Sequence, residues 1–131
     1  MGPEPDDPRE NATDIRYGER VGAPLIDFDL HRELESLRAG DSYRTSDHGA
    51  VTLVKRPGLR VVLVAVRAGG HMKEHQAQLP ITVHVLDGRI RFDAEGGGIE
   101  LTPGRLIAVA GGIPHGVVGV EDSAFVLTIG G

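Results

Sequence analysis

The stretch Gly69-Gly70-His71-Met72-Lys73-Glu74-His75-Gln76-Ala77-Gln78-Leu79-Pro80-Ile81-Thr82-Val83-His84-Val85-Leu86-Asp87-Gly88 decides how the chain folds. In its second half Ile81, Val83 and Val85 alternate with Thr82, His84 and Leu86, the period of two that puts successive side chains on opposite faces of a strand. Asp87-Gly88 is a strong hairpin signal. Beyond it Ile90 and Phe92 continue the apolar face, which leaves Arg89 and Arg91 on the other side.

Working outward, short apolar runs recur at 50–55, 59–67, 98–101, 105–109, 115–118 and 124–129, with 81–86 and 89–93 already read. Pro57-Gly58, Gly69-Gly70, Gly96-Gly97-Gly98, Pro103-Gly104 and Gly111-Gly112 separate them. The pattern is that of an all-β sandwich or barrel. The run Val61-Val62-Leu63-Val64-Ala65-Val66 is apolar on both faces, so it predicts a strand covered on both sides, by a second sheet, a helix or a second subunit. A homodimer is the partner expected on that ground. Upstream, Asp27 reads as an N-cap, Leu30, Leu34 and Leu37 fall at helical spacing, and Gly40 is a stop. These signals predict one short helix over 28–39, and 1–22, with three prolines among acidic residues, reads as a flexible arm ahead of one domain at 23–131.

Composition narrows the chemistry. The 131 residues make about one domain, and the absence of Cys excludes disulfides, thiolate zinc sites, iron–sulfur clusters and cysteine nucleophiles. Fourteen Lys and Arg against nineteen Asp and Glu give a net charge of −5, which speaks against a nucleic-acid or anionic-membrane surface. Only 4% of residues are aromatic and none is Trp, so stacking platforms are hard to build. No apolar run reaches membrane-spanning length, and the start of the chain lacks the basic and apolar regions of a signal peptide, so the expected location is the cytoplasm. No P-loop, dinucleotide fingerprint or nucleophile elbow is present.

Two spacings carry a resemblance. Gly69, five residues, His75, one, Ala77, three, Ile81, six, Gly88 is similar to the first cupin motif, G-x5-H-x-H-x3-E-x6-G. After fifteen residues, Gly104, five, Ala110, one, Gly112, two, His115, three, Gly119 resembles the second, G-x5-P-x-G-x2-H-x3-N. Over about 50–129 the chain thus resembles a small single-domain cupin, which implies a jelly-roll barrel of the RmlC-like kind with an apolar interior.

In that family the two His of the first motif, its Glu and the His of the second hold a metal. His75 and His115 match here, whereas Ala77 stands for the second His and Ile81 for the Glu. The resemblance therefore implies a pocket formed by His75, His115, Ala77 and Ile81. Two readings stay open. One is a barrel that binds a small organic ligand, with or without a metal. The other is a metal-dependent dioxygenase, isomerase or decarboxylase with a divalent ion (Fe, Mn, Ni or Zn) on His75, His115 and an irregular third ligand. Candidates for that ligand are Gln78, Glu74 and His71, the last on His75's side if 71–75 is evenly extended. His84 has the outward parity, and His31 and His48 read as solvated. The arginines read as a solvated face, with Arg67 and Arg91 placed to meet an anion at the barrel mouth.

Overall fold

Strand pairing obeys the alternation in the sequence. The computed structural model describes residues 23–76 and 78–131, with 73–76 described by their backbone alone; the expected arm at 1–22 and Ala77 lie outside the described residues. Among these, two helices, α1 (Leu30–Ala39) and α2 (Asp41–Thr45), precede nine strands: β1 (His48–Arg56), β2 (Leu59–Val66), β3 (His71–Gln76), β4 (Ile81–Asp87), β5 (Ile90–Ala94), β6 (Gly97–Leu101), β7 (Leu106–Val109), β8 (Pro114–Gly119) and β9 (Ser123–Gly130). They pair antiparallel in two sheets, ordered β1-β2-β9-β4-β7 and β3-β8-β5-β6. This is the all-β architecture that the runs predict, in the jelly-roll form that the resemblance implies.

One buried cluster fills the space between the sheets. Val62, Val64 and Val66 of β2, Ile81, Val83 and Val85 of β4 and Phe125 of β9 meet Ile90 and Phe92 of β5, Leu101 of β6 and Val117 of β8. A second cluster lies on the outer face of the larger sheet, where Leu63 and Ala65 of β2, with Val51 and Leu53 of β1, are covered by Leu34, Leu37 and Tyr43. Both faces of β2 are therefore buried within the chain. The opposite sheet and the helices supply the cover, two of the three kinds that the sequence reading leaves open.

Helix α1 begins two residues later than the sequence suggests. Asp29, not Asp27, is the N-cap, its Oδ1 accepting from the Arg32 N–H at 3.2 Å. Phe28 lies ahead of the first turn and packs on the outer cluster. Gly40 does end the helix, but with an extended backbone (φ −78°) rather than a left-handed one, because it also leads directly into α2. Both α2 and β3 escape the sequence reading. The first is one turn long, and the second, His71-Met72-Lys73-Glu74-His75-Gln76, has no apolar alternation.

At the β4–β5 turn the backbone needs glycine. Gly88 has φ +78°, and a Cβ there would overlap the Asp122 carbonyl and Ser123. Ser123 is fully buried; its hydroxyl accepts from the Arg89 N–H at 2.8 Å and lies 2.8 and 2.7 Å from the carbonyls of Arg89 and Glu121, either of which can take its proton. That one hydroxyl ties β9 to the hairpin.

Leu37, 2% exposed, joins α1 to the outer cluster. Leu37→Ala is expected to cost about 2–5 kcal/mol in guanidinium denaturation, the range for emptying a leucine-sized volume in a packed core. A loss well under 1 kcal/mol (about the noise of such extrapolations) would show that the helix does not seal β2.

Candidate functional site: an apolar cavity beside His115

His115 sits in the middle of the smaller sheet. Its backbone pairs with His75 on one side and Ala94 on the other. The side chain is only 4% exposed. The ring stacks on Phe92 with centroids 5.4 Å apart and planes 15° from parallel, and Nδ1 lies 3.0 Å from the Ile113 carbonyl oxygen. Since a carbonyl can only accept, Nδ1 is the donor, which places the lone pair of the neutral ring on Nε2.

The register of β3 decides which of its histidines accompanies His115. His71 and Met72 pair with Val118 and Val117, His75 and Gln76 with His115 and Pro114, and an irregularity between Met72 and His75 absorbs one extra residue. A bulge of this kind reverses the parity of the residues beyond it. Met72 packs on the interior cluster, whereas His71 shares the register of Val118 and is exposed. His71 is therefore turned away from the register of His75 and His115, contrary to the even extension assumed from the sequence. Its N–H instead donates to Asp47 Oδ2 at 3.3 Å.

Ile81 lies on the facing sheet, 5% exposed, paired with Ile129 and Val109 and packed in the interior cluster. Where the resemblance places a metal-binding Glu, the wall is hydrocarbon. Gln78 is exposed outside the strands. Ala77 lies outside the described residues, as do the side chains of Glu74 and His75. Among the described residues no three of His, Asp or Glu gather as a metal-holding group.

The open space lies to one side of His115. A cavity of about 630 Å³ is bounded by Phe92 and Ala94 of β5, Ile99 of β6, Ile107 and Val109 of β7, and Ile113 just before β8, with Glu95 at its edge. β6 and β7 are the last strands of their sheets, so the cavity opens where the two sheets part. Ile99 shares the inward register of Phe92 yet is 52% exposed, because no described strand covers it. Sequence reading misses this region. Its signal is present in Ile107 and Val109, which alternate with Leu106 and Ala108, and in Ile99, which the Gly96-Gly97 turn sets opposite Phe92.

Neither arginine singled out from the sequence meets this space. Arg91 points outward and pairs with Asp93 at 2.8 Å, and that carboxylate holds its guanidinium protonated even above the ordinary arginine range. Arg67 lies 4.4 Å over the Tyr43 ring and donates from Nε to the carbonyls of Tyr43 and Ser46 at 3.0 and 3.2 Å, anchoring α2. His84 and His31 are exposed, as their positions suggest. His48 is not simply solvated: its Nδ1 lies 2.8 Å from Asp47 Oδ1.

No family model matches the sequence, and no curated protein matches it. Solved structures do. A cupin-2 domain-containing protein from Shewanella frigidimarina superposes with a TM-score of 0.64 at 11% identity, over 79% of this chain and 94% of that one. A cupin superfamily protein from Desulfitobacterium hafniense gives 0.61 at 14% identity, over 63% and 76%. KdgF from a Halomonas species gives 0.60 at 23% identity, over 64% and 80%. The fold is that of the cupins. Its glycines sit as the motifs require, Gly69, Gly88 and Gly104 all with positive φ. Gly119 departs from the motif's Asn, and a Cβ there would overlap the Arg67 carbonyl. Among the described residues no helix is long and apolar enough to cross a membrane.

The Asp47 cluster at the start of β3 yields a pH prediction. The hydrogen bond from His48, then that from the His71 N–H, hold the Asp47 carboxyl below its ordinary value of 3.8. A depressed carboxylate stabilises the fold fully above the unfolded value and loses that contribution as pH falls through the folded one. Urea titrations below pH 3.8 should show wild type losing stability more steeply than Asp47→Asn; parallel curves would remove the carboxylate from the fold's acid response.

Proposed function

We propose that this cupin binds a small, largely apolar organic molecule in the cavity between β6 and β7, beside His115. The observation that carries the reading is the cavity itself: about 630 Å³, walled by Phe92, Ala94, Ile99, Ile107, Val109 and Ile113, and open to solvent at the sheet edges. Inward-facing hydrocarbon left wet costs about 25 cal/mol per Å², and a ligand that covers it recovers that energy. Volume and lining match small-molecule pockets, which run at roughly 300–1,000 Å³ with few polar groups. Glu95 is the charged group at the cavity's edge, and His115 backs the wall from behind Phe92, on whose ring it stacks. That the fold can hold a small organic molecule is supported by a mutant salicylate 1,2-dioxygenase of Pseudoaminobacter salicylatoxidans, solved in complex with gentisate, which superposes at 0.61 with 18% identity over 64% of this chain and 25% of its own.

The alternative, a metal-dependent dioxygenase, isomerase or decarboxylase, asks for a third donor beside His75 and His115. The Ile81 side chain in the facing wall argues against it.

Two measurements test the reading. Titration with the apolar fluorophore 1-anilinonaphthalene-8-sulfonate should show saturable binding by wild type, and Val109→Trp, which fills the cavity, should weaken it by about tenfold, as loss of one well-buried group does, without lowering the melting temperature. Equal binding by the two proteins would place the fluorophore elsewhere and sink the cavity. Elemental analysis after reconstitution with Fe, Mn, Ni or Zn is expected to give substoichiometric metal. Near-stoichiometric metal, lost in both His75→Ala and His115→Ala, would replace this reading by the metal-dependent one.

A further inference from the structure

The cavity carries one charged side chain. Its lining is hydrocarbon and backbone apart from Glu95, and no Lys, Arg or His is among the described residues that bound it. Glu95 and Gly96 form the two-residue turn that joins β5 to β6, closed by the Ala94–Gly97 pair. Their φ values, +52° and +75°, are both left-handed, as a type I′ hairpin turn requires. Asn, Asp and Gly are favoured at the first place of such a turn, and Glu is not among them. Glu95 is the one described residue other than glycine with a positive φ.

Nothing within the chain compensates for it. The other carboxylates of the hairpin meet cations on its outer side, Asp93 against Arg91 at 2.8 Å and Glu100 against Arg89 at 3.5 Å. The Glu95 carboxylate forms no ion pair or hydrogen bond among the described residues. Packing does not impose it either, since a Cβ at the adjacent Gly96 would meet nothing within 4 Å. A residue that breaks the local rule beside an open cavity, with no gain inside the fold, points to a role outside the fold.

Room for the polar end of a ligand lies beside this carboxylate. On β6 the inward places are Gly97, Ile99 and Leu101, set opposite Ala94, Phe92 and Ile90. Leu101 is buried in the interior cluster, Ile99 walls the cavity, and Gly97 puts no side chain into it. A Cβ added at Gly97 would meet nothing within 4 Å. The mouth between Glu95 and Ile99 is therefore clear.

Resting on the cavity reading above, we infer that the ligand is an amphipathic organic cation: an apolar body against Ile99, Ile107 and Val109, with an ammonium group beside Glu95 at the mouth. The two ends contribute differently. Covered hydrocarbon supplies the affinity, in proportion to the apolar area removed from water. Glu95 is exposed, so solvent screens its pairing with an ammonium, and the carboxylate selects among ligands of like shape more than it strengthens binding. No bond is made or broken.

The test compares octylamine, octan-1-ol and octanoate, which share a tail and at neutral pH are cationic, uncharged and anionic, by isothermal titration of wild type, Glu95→Gln, Glu95→Lys and Glu100→Gln. Wild type should bind octylamine about threefold to fivefold more tightly than octan-1-ol, the scale of one exposed ion pair, and octanoate more weakly than either. Glu95→Gln should abolish that order while still binding octan-1-ol, which also shows that the variant is folded, and Glu95→Lys should reverse it. Glu100→Gln removes an equal charge from the outer face of the same hairpin and should leave the order unchanged. An order that survives Glu95→Gln, or that Glu100→Gln disturbs as much, would overturn the cation site and leave the cavity standing. Failure of wild type to bind any of the eight-carbon probes would overturn both the cation site and the cavity reading beneath it.

Discussion

The alternation along β2 is the constraint on which the rest of the molecule depends. Val62, Val64 and Val66 enter the barrel and Leu63 and Ala65 enter the layer beneath the helices, so one strand belongs to both clusters. Because the side-chain period is two, neither cluster can shift without the other: a slip of one residue would put valines under α1 and expel the barrel's own core. The helices therefore complete the sheet on which the cavity is built. Their position also accounts for a strand that reads as doubly buried in a chain that need not pair with another copy to bury it.

That alternation is legible in the sequence, and so is the all-β barrel or sandwich, which the resemblance narrows to a jelly roll. Ile81, Val83 and Val85, the Asp87-Gly88 reversal and the Ile90–Phe92 continuation all fall where the runs place them, because each comes from local periodicity and turn chemistry. What local sequence does not reveal is where the period breaks. The bulge between Met72 and His75 and that between Thr52 and Val54 each insert one residue, and nothing in His71-Met72-Lys73-Glu74-His75 marks it, since the strand lacks an apolar rhythm for the insertion to disturb. Plain counting fails at both places. It gives His71 the side of His75, and it gives Lys55 the wrong parity when run on from Thr52.

The cavity escapes the sequence for a different reason. It is made by edge strands, and an edge is a property of strand order, which local sequence does not contain. Ile99, Ile107 and Val109 read as ordinary core residues, and by parity they are. They line an opening only because β6 and β7 have no further described neighbour on that side.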